Sequence, residues 1–495
     1  MESKSARPFA PEAADLGHLR EVLASHGFLG EAVREAVGAR IGSDHLRRDL
    51  PLYLRRLEAP TPINTLVKLL SLGQWVEERA AEEALTPIAV DDLVAARLLE
   101  RGRQGVRALV ELVVHRDLVL AHDRFEPERR GNLARDHVLG TNAPAFLLDC
   151  FTVRRPVGEC LDLGCGGGVQ SFLAARHSAQ VLGVDTNLRA LAFFDLNARL
   201  NGVANAAAVP GDLFAPVAGR RFGLVVSNPP YVISPDDRYV FMDSGRPRDA
   251  ICEEVVRGAS AHLEDGGYAT VLCNWALHDG EDWSAPLRRW VADSGCDVWL
   301  LKSGQEDPLS YAAVWNRGRE DAEYAAALDR WRDYFRDEGI AAIGMGAVIL
   351  RRRHRGPHWL RADVLPQDPT SACGEQIVRV FEAEDTLAGL QDDDALLARA
   401  FRLVDAHRLD QSLRLSDGRF VIEESEIRLQ GGFAFRGRVD AATLQLLQRC
   451  DGKTPLRVLV DEMQRGTGDA AAGRVKGPLA GAVRRMVSMG FLVPE

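Results

Sequence analysis

The sequence predicts an α/β protein: a doubly wound, seven-stranded parallel sheet, flanked by a helical N-terminal domain and a small mixed C-terminal domain. Three observations carry this. The chain has 495 residues, and at roughly 150 residues per domain it is long enough for about three. From about residue 155 to 353, short β-rich apolar runs alternate with helical stretches, as in sheets wound by βαβ crossovers. The first of these runs opens directly into a glycine-rich loop, Gly164-Cys-Gly-Gly-Gly168.

Taken in order, residues 1–130 read as helices ending in a hairpin. Thr61 and Pro62 suit an N-cap and first turn for a helix through Leu72, and helical spacing continues over Trp75–Ala84 and Val90–Glu100. Two apolar runs, Val106–Val114 and Leu118–Ala121, flank a polar turn at His115-Arg-Asp117 and read as a two-stranded wing, which makes the module winged-helix-like. Residues 131–355 form the sheet domain, with strands expected at Glu159–Leu163, Gln180–Val184, Ala206–Val209, Phe222–Ser227, Tyr268–Cys273, Val298–Lys302 and Ala347–Leu350. Before the last strand, Tyr324, Leu328, Trp331 and Phe335 recur at three or four residues, the stripe of a core-facing helix. Residues 356–495 form the third domain, ending in helices at Ala441–Arg449, Leu456–Met463 and Val475–Met489 and a strand at Phe491–Val493, again winged-helix-like. The GDAAAG stretch near Gly468 reads as a mobile loop.

Composition excludes several classes. A net charge of -10, with 46% hydrophobic and 27% charged residues, is that of an ordinary soluble domain and not of a disordered, collagen-like or strongly basic protein. The densest cationic cluster, Arg351 to Arg355, follows an apolar run and reads as a solvated strand end. Eight cysteines include no CxxC pair, so neither a zinc site nor a disulfide framework is expected. The first residues hold no apolar stretch of signal-peptide length, and the run Ala341–Leu350 is too short to span a bilayer, so a cytoplasmic protein without a membrane partner is expected.

The chemistry-bearing residues cluster in the sheet domain. In Leu161-Asp-Leu-Gly-Cys-Gly-Gly-Gly168, glycines let the backbone turn sharply and approach a ligand with no Cβ in the way. The spacing G-x-G-x-G lacks the Lys-Ser/Thr of a phosphate loop. The next strand ends in Asp185, placed where an acidic side chain accepts from ribose hydroxyls, with a solvated strand-end aspartate as the alternative. After the third strand, Asp212 is positioned to accept from an adenine amino group and Leu213 or Phe214 to pack on its ring. The fourth strand runs into Asn228-Pro-Pro-Tyr231. Two prolines stiffen this loop and remove two donors, so it presents the Asn228 side-chain oxygen and the Pro229 carbonyl as acceptors for a planar NH2 group, with Tyr231 along its plane. Two other segments border this region: Asp136–Asn142, a cover over the ligand in which His137 reads as structural, and Ser234–Asp249, either a closing loop or an ordinary surface loop.

Together DLGCGGG, VLGVD, GDLF and VVSNPPY resemble the class I S-adenosylmethionine-dependent methyltransferases, and NPPY resembles their subgroup acting on planar nitrogens: adenine-N6 and guanine-N2 nucleic-acid enzymes and release-factor glutamine methyltransferases. The resemblance implies a Rossmann-like methyltransferase sheet with S-adenosyl-L-methionine as cofactor. It implies that Asp162, Gly164, Cys165, Gly166 and Gly168 hold the methionine end, Asp185 the ribose, and Asp212 and Leu213 the adenine. Asn228, Pro229, Pro230 and Tyr231 would hold the target amine, Asn228 touching the cofactor as well. The expected function is N-methylation of a planar amino group on a macromolecule, an RNA or DNA base or a protein side-chain amide, without a metal. The alternatives are a small-molecule methyltransferase and a non-catalytic cofactor-binding regulator. Nucleic-acid binding and a homodimer stay open. The arginine- and glutamate-bearing stretch that precedes the first strand in release-factor enzymes has no counterpart here.

Overall fold

Leucines and valines three and four residues apart make the N-terminal stretch helical. In the computed structural model, which describes residues 8–38, 43–124, 133–354, 356–465 and 472–494, six short helices come first: α1 (Leu16–Ser25), α2 (Glu31–Val37), α3 (Ser43–Arg56), α4 (Pro62–Leu66), α5 (Glu78–Leu85) and α6 (Val90–Ala95). Helix α1 buries Leu16, Leu19, Val22 and Leu23, and the Asp15 side chain caps it by accepting from the His18 N–H at 3.0 Å. Thr61 caps α4 as its sequence suggests, accepting from the Asn64 N–H. Two hairpins follow instead of the one expected wing: β1 (Leu99–Gly102) with β2 (Gly105–Ala108), and β3 (Val110–His115) with β4 (Leu118–Asp123). The run Val106–Val114 divides at Leu109, which is exposed, so its two halves pair with different partners.

After α7 (Ala143–Phe151) comes the sheet: β5 (Val157–Leu163), β6 (Ser178–Asp185), β7 (Ala206–Pro210), β8 (Phe222–Ser227), β9 (Leu263–Leu277), β10 (Cys296–Glu306), β11 (Ala342–Arg352) and β12 (Leu360–Val364). Its helices are α8 (Val169–Ala174), α9 (Leu188–Leu200), α10 (Ala250–Ala261), α11 (Ala285–Val291), α12 (Pro308–Asn316) and α13 (Asp321–Asp337). The spatial order is β12-β10-β11-β9-β8-β5-β6-β7. Strands β5 to β9 pair in parallel, and β11 lies antiparallel between β9 and β10, so the sheet is mixed and not parallel throughout as expected. The sheet therefore has eight strands, not the seven expected: β12 joins the edge, and its sequence LRADV carries too little apolar signal to be read as a strand.

Strand β8 is buried along its whole length, which is why it reads as a continuous apolar run. Helix α13 buries Trp331 and Phe335 as its stripe predicts. The arginine run after β11 is not a solvated strand end: Arg351 is buried, and Arg351 and Arg353 both donate to the buried Asp297 carboxylate. This pair of cations holds that carboxyl below its usual range against the opposing effect of burial.

Residues Met1–Leu148 and Arg155–Asp363 form one compact unit, so the N-terminal helices share a unit with the sheet; Asp149–Arg154 and Val364–Glu495 form a second. The second unit carries α14 (Gly374–Ala388), α15 (Asp393–Leu397), α16 (Ala441–Leu447), α17 (Leu456–Arg465) and α18 (Ala472–Ser488). Its strands are β13 (Ala400–Leu403), β14 (His407–Ser416), β15 (Arg419–Leu429), β16 (Arg436–Arg438), β17 (Asp451–Pro455) and β18 (Leu492–Pro494), in two three-stranded sheets, β17-β13-β18 and β14-β15-β16. Gly468, Arg355 and the boundary expected at residue 130 lie outside the described residues.

Candidate active site at the sheet's switch point

Strands β6 and β7 lie on one side of β5, and β8 and β9 on the other. Where the winding reverses in this way, the loops leaving the two central strands part and a crevice opens at their carboxyl ends. A cavity of about 380 Å³ lies there, bordered by residues following β5, β6, β7 and β8.

At the end of β5, Asp162 is buried and its carboxylate accepts from the Ser171 hydroxyl of α8 at 2.7 Å. Burial pushes its carboxyl up to about 7; the Ser171 hydrogen bonds oppose the shift and the Asp185 charge adds to it. Gly164 and Gly166 adopt φ of +70° and +53°, and a Cβ at Gly166 would meet nothing within 4 Å, so this backbone is bare toward the cavity it lines. Gly168 serves a different purpose. A Cβ there would lie 2.4 Å from the Phe172 ring, and this glycine allows close packing while Gly164, Cys165, Gly166 and Gly167 line the cavity.

Asp185 lies at the tip of β6. Its two oxygens accept from the Gly166 and Asn187 N–H groups, each at 2.8 Å, which ties the glycine loop to the next strand. Burial raises this carboxyl in spite of those bonds. Asp212 is largely exposed and accepts from Arg246 Nη2 at 3.0 Å, while Leu213 beside it takes a φ of +47° and lines the cavity. Arg246 belongs to the segment after NPPY and also pairs with Glu254.

Strand β8 is fastened to β5 at this point, since the Ser227 hydroxyl donates to the Leu163 carbonyl at 2.9 Å. The next residue is Asn228. Its side-chain oxygen is buried and has no hydrogen-bond partner among the described residues. Buried acceptors are nearly always satisfied, so an orphan at a cavity wall marks a place where a donor from outside is expected. The loop beyond is pinned by the Tyr231 N–H, which donates to the Pro229 carbonyl at 2.8 Å. Of the tetrapeptide, Asn228 and Pro230 line the cavity, whereas Pro229 and Tyr231 do not; the Tyr231 ring packs against the apolar clusters on either side and burial raises its hydroxyl.

Both bordering segments reach the cavity. Val138 to Asn142 line it from one side, and Val240, Phe241 and Ser244 line it from the other. His137 itself is buried beside the Asp123 carboxylate, 3.9 Å away. The reading of motifs missed His122 of β4, Asn187 and Arg246, all of which line the cavity. It also missed Asn197 on α9 and Asn201, the residue just after that helix. The Asn197 side chain accepts from the Ala121 N–H at 2.7 Å and donates to the carbonyls of Ala121 and Gly167, and Asn201 bonds the Val119 N–H and carbonyl in the same manner. One helix thus stands in for a neighbouring strand along β4. Two asparagines at i and i+4, at the end of a helix that buries Phe193, Leu196 and Leu200, were the available signal.

Among the described residues, no group of three or more His, Cys, Asp or Glu is placed to hold a metal, the eight cysteines are free and buried, and no helix is long and apolar enough to cross a membrane.

The model of the methyltransferase small domain matches residues 140–282, and that of a domain of unknown function, DUF7059, matches residues 25–109. The ribosomal RNA small subunit methyltransferase C of Alcanivorax borkumensis is 31% identical over 137 residues, 28% of this chain and 36% of its own. A release factor glutamine methyltransferase of Xylella fastidiosa is 32% identical over 127 residues, 23% of this chain and 46% of its own. The ribosomal protein uL3 glutamine methyltransferase of Bradyrhizobium diazoefficiens is 32% identical over 151 residues, 28% and 46% of the two chains. The chain thus spans less than half the length of these relatives. Among solved structures, the T. thermophilus 16S rRNA N2 G1207 methyltransferase aligns over 56% of this chain and 62% of its own at 15% identity and a TM-score of 0.28. Residues 140–282 accordingly match the methyltransferase small domain, in line with the family that the sequence motifs resemble.

Proposed function

We propose that the chain is an S-adenosylmethionine-dependent methyltransferase that methylates a planar nitrogen on a macromolecule, an RNA or DNA base or a protein side-chain amide. The observation that carries this reading is the buried, unpartnered Asn228 oxygen at the switch-point cavity. The three relatives named above support it, since their names assign them ribosomal RNA or protein glutamine.

The residues present fit the cofactor. Asp162, Gly164, Cys165 and Gly166 offer acceptors and bare backbone for the methionine end, with Gly168 keeping the loop close to α8. Asp185 would take the ribose hydroxyls, and Asp212 and Leu213 the adenine edge. The cofactor supplies a methyl group already activated on a sulfonium, so the protein's task is alignment and exclusion of water. Asn228 Oδ1 accepts one N–H of the planar amine. The second N–H would go to the Pro229 carbonyl, which uses one lone pair on the Tyr231 N–H and stands between the lining residues Asn228 and Pro230 without lining the cavity itself. With both hydrogens held in plane, the nitrogen points its lone pair along one line, and Pro230 fixes the loop that sets that line. The segment Ser234–Asp249, which supplies Val240, Phe241 and Ser244 to the cavity, closes over the acceptor.

The test is transfer of a labelled methyl group from S-adenosylmethionine into an extract of cells lacking the protein, separated into RNA, DNA, protein and small molecules, with Asn228→Ala alongside. Asn228-dependent label in one polymer is expected. Label confined to small molecules, or none, refutes the reading.

A further inference from the structure

His122 lines the cavity and takes no part in the reaction described above. Its Nδ1 lies 2.9 Å from the Asp123 carbonyl oxygen, and a carbonyl only accepts, so Nδ1 carries the proton. In the neutral ring Nε2 is then an acceptor. The ring is neutral at ordinary pH, because burial pushes it down to about 4, with the neighbouring His137 adding to the effect and the Asp123 carbonyl and carboxylate opposing it. Among the described residues the bond at Nδ1 is the only hydrogen bond of this ring, which leaves the Nε2 lone pair without a donor.

The ring is also held in place. Gly140 packs so closely on it that a Cβ there would sit 2.7 Å from both Cδ2 and Nε2. Its own strand is anchored to the glycine loop, because Asn197 Nδ2 donates to the Ala121 carbonyl at 3.0 Å and to the Gly167 carbonyl at 2.9 Å. A fixed, uncharged acceptor thus stands beside the glycine-loop end of the cavity. That end is the one assigned above to the methionine part of the cofactor, which carries one ammonium and one carboxylate. A lone pair attracts the first and repels the second.

We propose that His122 Nε2 accepts a hydrogen bond from the α-ammonium of the cofactor, so that the β3–β4 hairpin, outside both matched families, forms one wall of the cofactor site. This rests on the reading of the cavity as a cofactor site.

The experiment is equilibrium binding by calorimetry to the full chain, with S-adenosylhomocysteine and its des-amino analogue as the two ligands. The wild type should prefer S-adenosylhomocysteine. His122→Ala should weaken that ligand about tenfold, the loss of one hydrogen bond to a charged group, and leave the des-amino analogue unchanged. His122→Gln, whose side-chain oxygen also accepts, should recover part of the preference. The analogue serves as the control for folding, since a distorted pocket would weaken both ligands. Equal weakening of both in His122→Ala, or no change in either, overturns the proposal. If the wild type binds neither ligand, the cofactor reading fails first and this inference with it.

Discussion

Truncating Asn228 to alanine separates stability from chemistry in a way that few site substitutions do. Its side-chain oxygen is buried with no partner, so the folded protein bears the desolvation cost of an unsatisfied acceptor, about 1–3 kcal/mol. Alanine removes that cost and also removes the packing of a small amide, an effect of similar size and opposite sign. The net change should lie within about 1 kcal/mol, or roughly 1.5 °C in Tm for a unit of this size. Turnover should fall about 100-fold, because the acceptor nitrogen loses one of its two in-plane anchors. Thermal unfolding and methyl transfer measured on the same preparations check both halves. A fall in Tm beyond about 3 °C, twice that expectation, would show that Asn228 holds the fold, and unchanged transfer would show that it holds no substrate; either result refutes the reasoning.

Asn197→Ala should cost about 2–4 kcal/mol, because it strips partners from the Ala121 N–H and from the carbonyls of Ala121 and Gly167, and hydrogen exchange at the Ala121 amide should accelerate with it. Asp162 makes stability depend on pH. Its folded carboxyl is raised to about 7 from 3.8, so the stability it contributes is present below about pH 4 and is lost as pH rises to about 7. Against Asp162→Asn, which does not titrate, wild-type stability measured by urea unfolding should decline by ~2–4 kcal/mol across that range and then level off. Two glycines should behave oppositely. At Gly346 a Cβ would stand 1.9 Å from the Leu301 carbonyl oxygen, so Gly346→Ala should cost about 3 kcal/mol and leave little folded protein at elevated temperature. At Gly166 the space is open and only the positive φ is unfavourable, so Gly166→Ala should cost about 1 kcal/mol yet weaken cofactor binding in titration calorimetry.

The central sheet was legible because strands buried on both faces read as uninterrupted apolar runs, and Phe222–Ser227 has the same bounds in both readings. The antiparallel half was read too short. Gly344 and Gly346 interrupt the apolar signal of β11, yet the strand needs them: a Cβ would strike the Trp275 ring at one and the Leu301 carbonyl at the other. The hairpin β14–β15 was missed although its signal is present. Asp417 and Gly418, with φ of +50° and +75°, form the tight turn, and Leu413 and Leu415 oppose Ile422 and Phe420 across it in strict alternation. In the site, the backbone-bearing residues were found because each follows a strand end, where one sequence position fixes one spatial position. His122 and Asn197 were not, because Asn197 ties the strand of His122 to the glycine loop through contacts made far along the chain, which no local pattern encodes.

Those long-range contacts decide where the functional unit begins. The two matched families stop at residue 109 and start at residue 140, leaving β3, β4 and the segment after them unassigned. In the folded chain β4 and the residues just before α7 build one wall of the cavity: β4 supplies Leu120, Ala121 and His122, and Val138 to Asn142 line it with them. Its parts are fastened to one another and to the sheet domain. The Asp123 N–H donates to the Val138 carbonyl, the Val138 N–H donates back to the Asp123 carboxylate at 2.8 Å, and Arg189 of α9 donates to the same carboxylate. Such a wall cannot move without releasing the Gly167 carbonyl from Asn197, and with it the loop that presents bare backbone to the cavity. Order in the N-terminal hairpin and order in the glycine loop are therefore one property, and a ligand that fixes either one stabilises both.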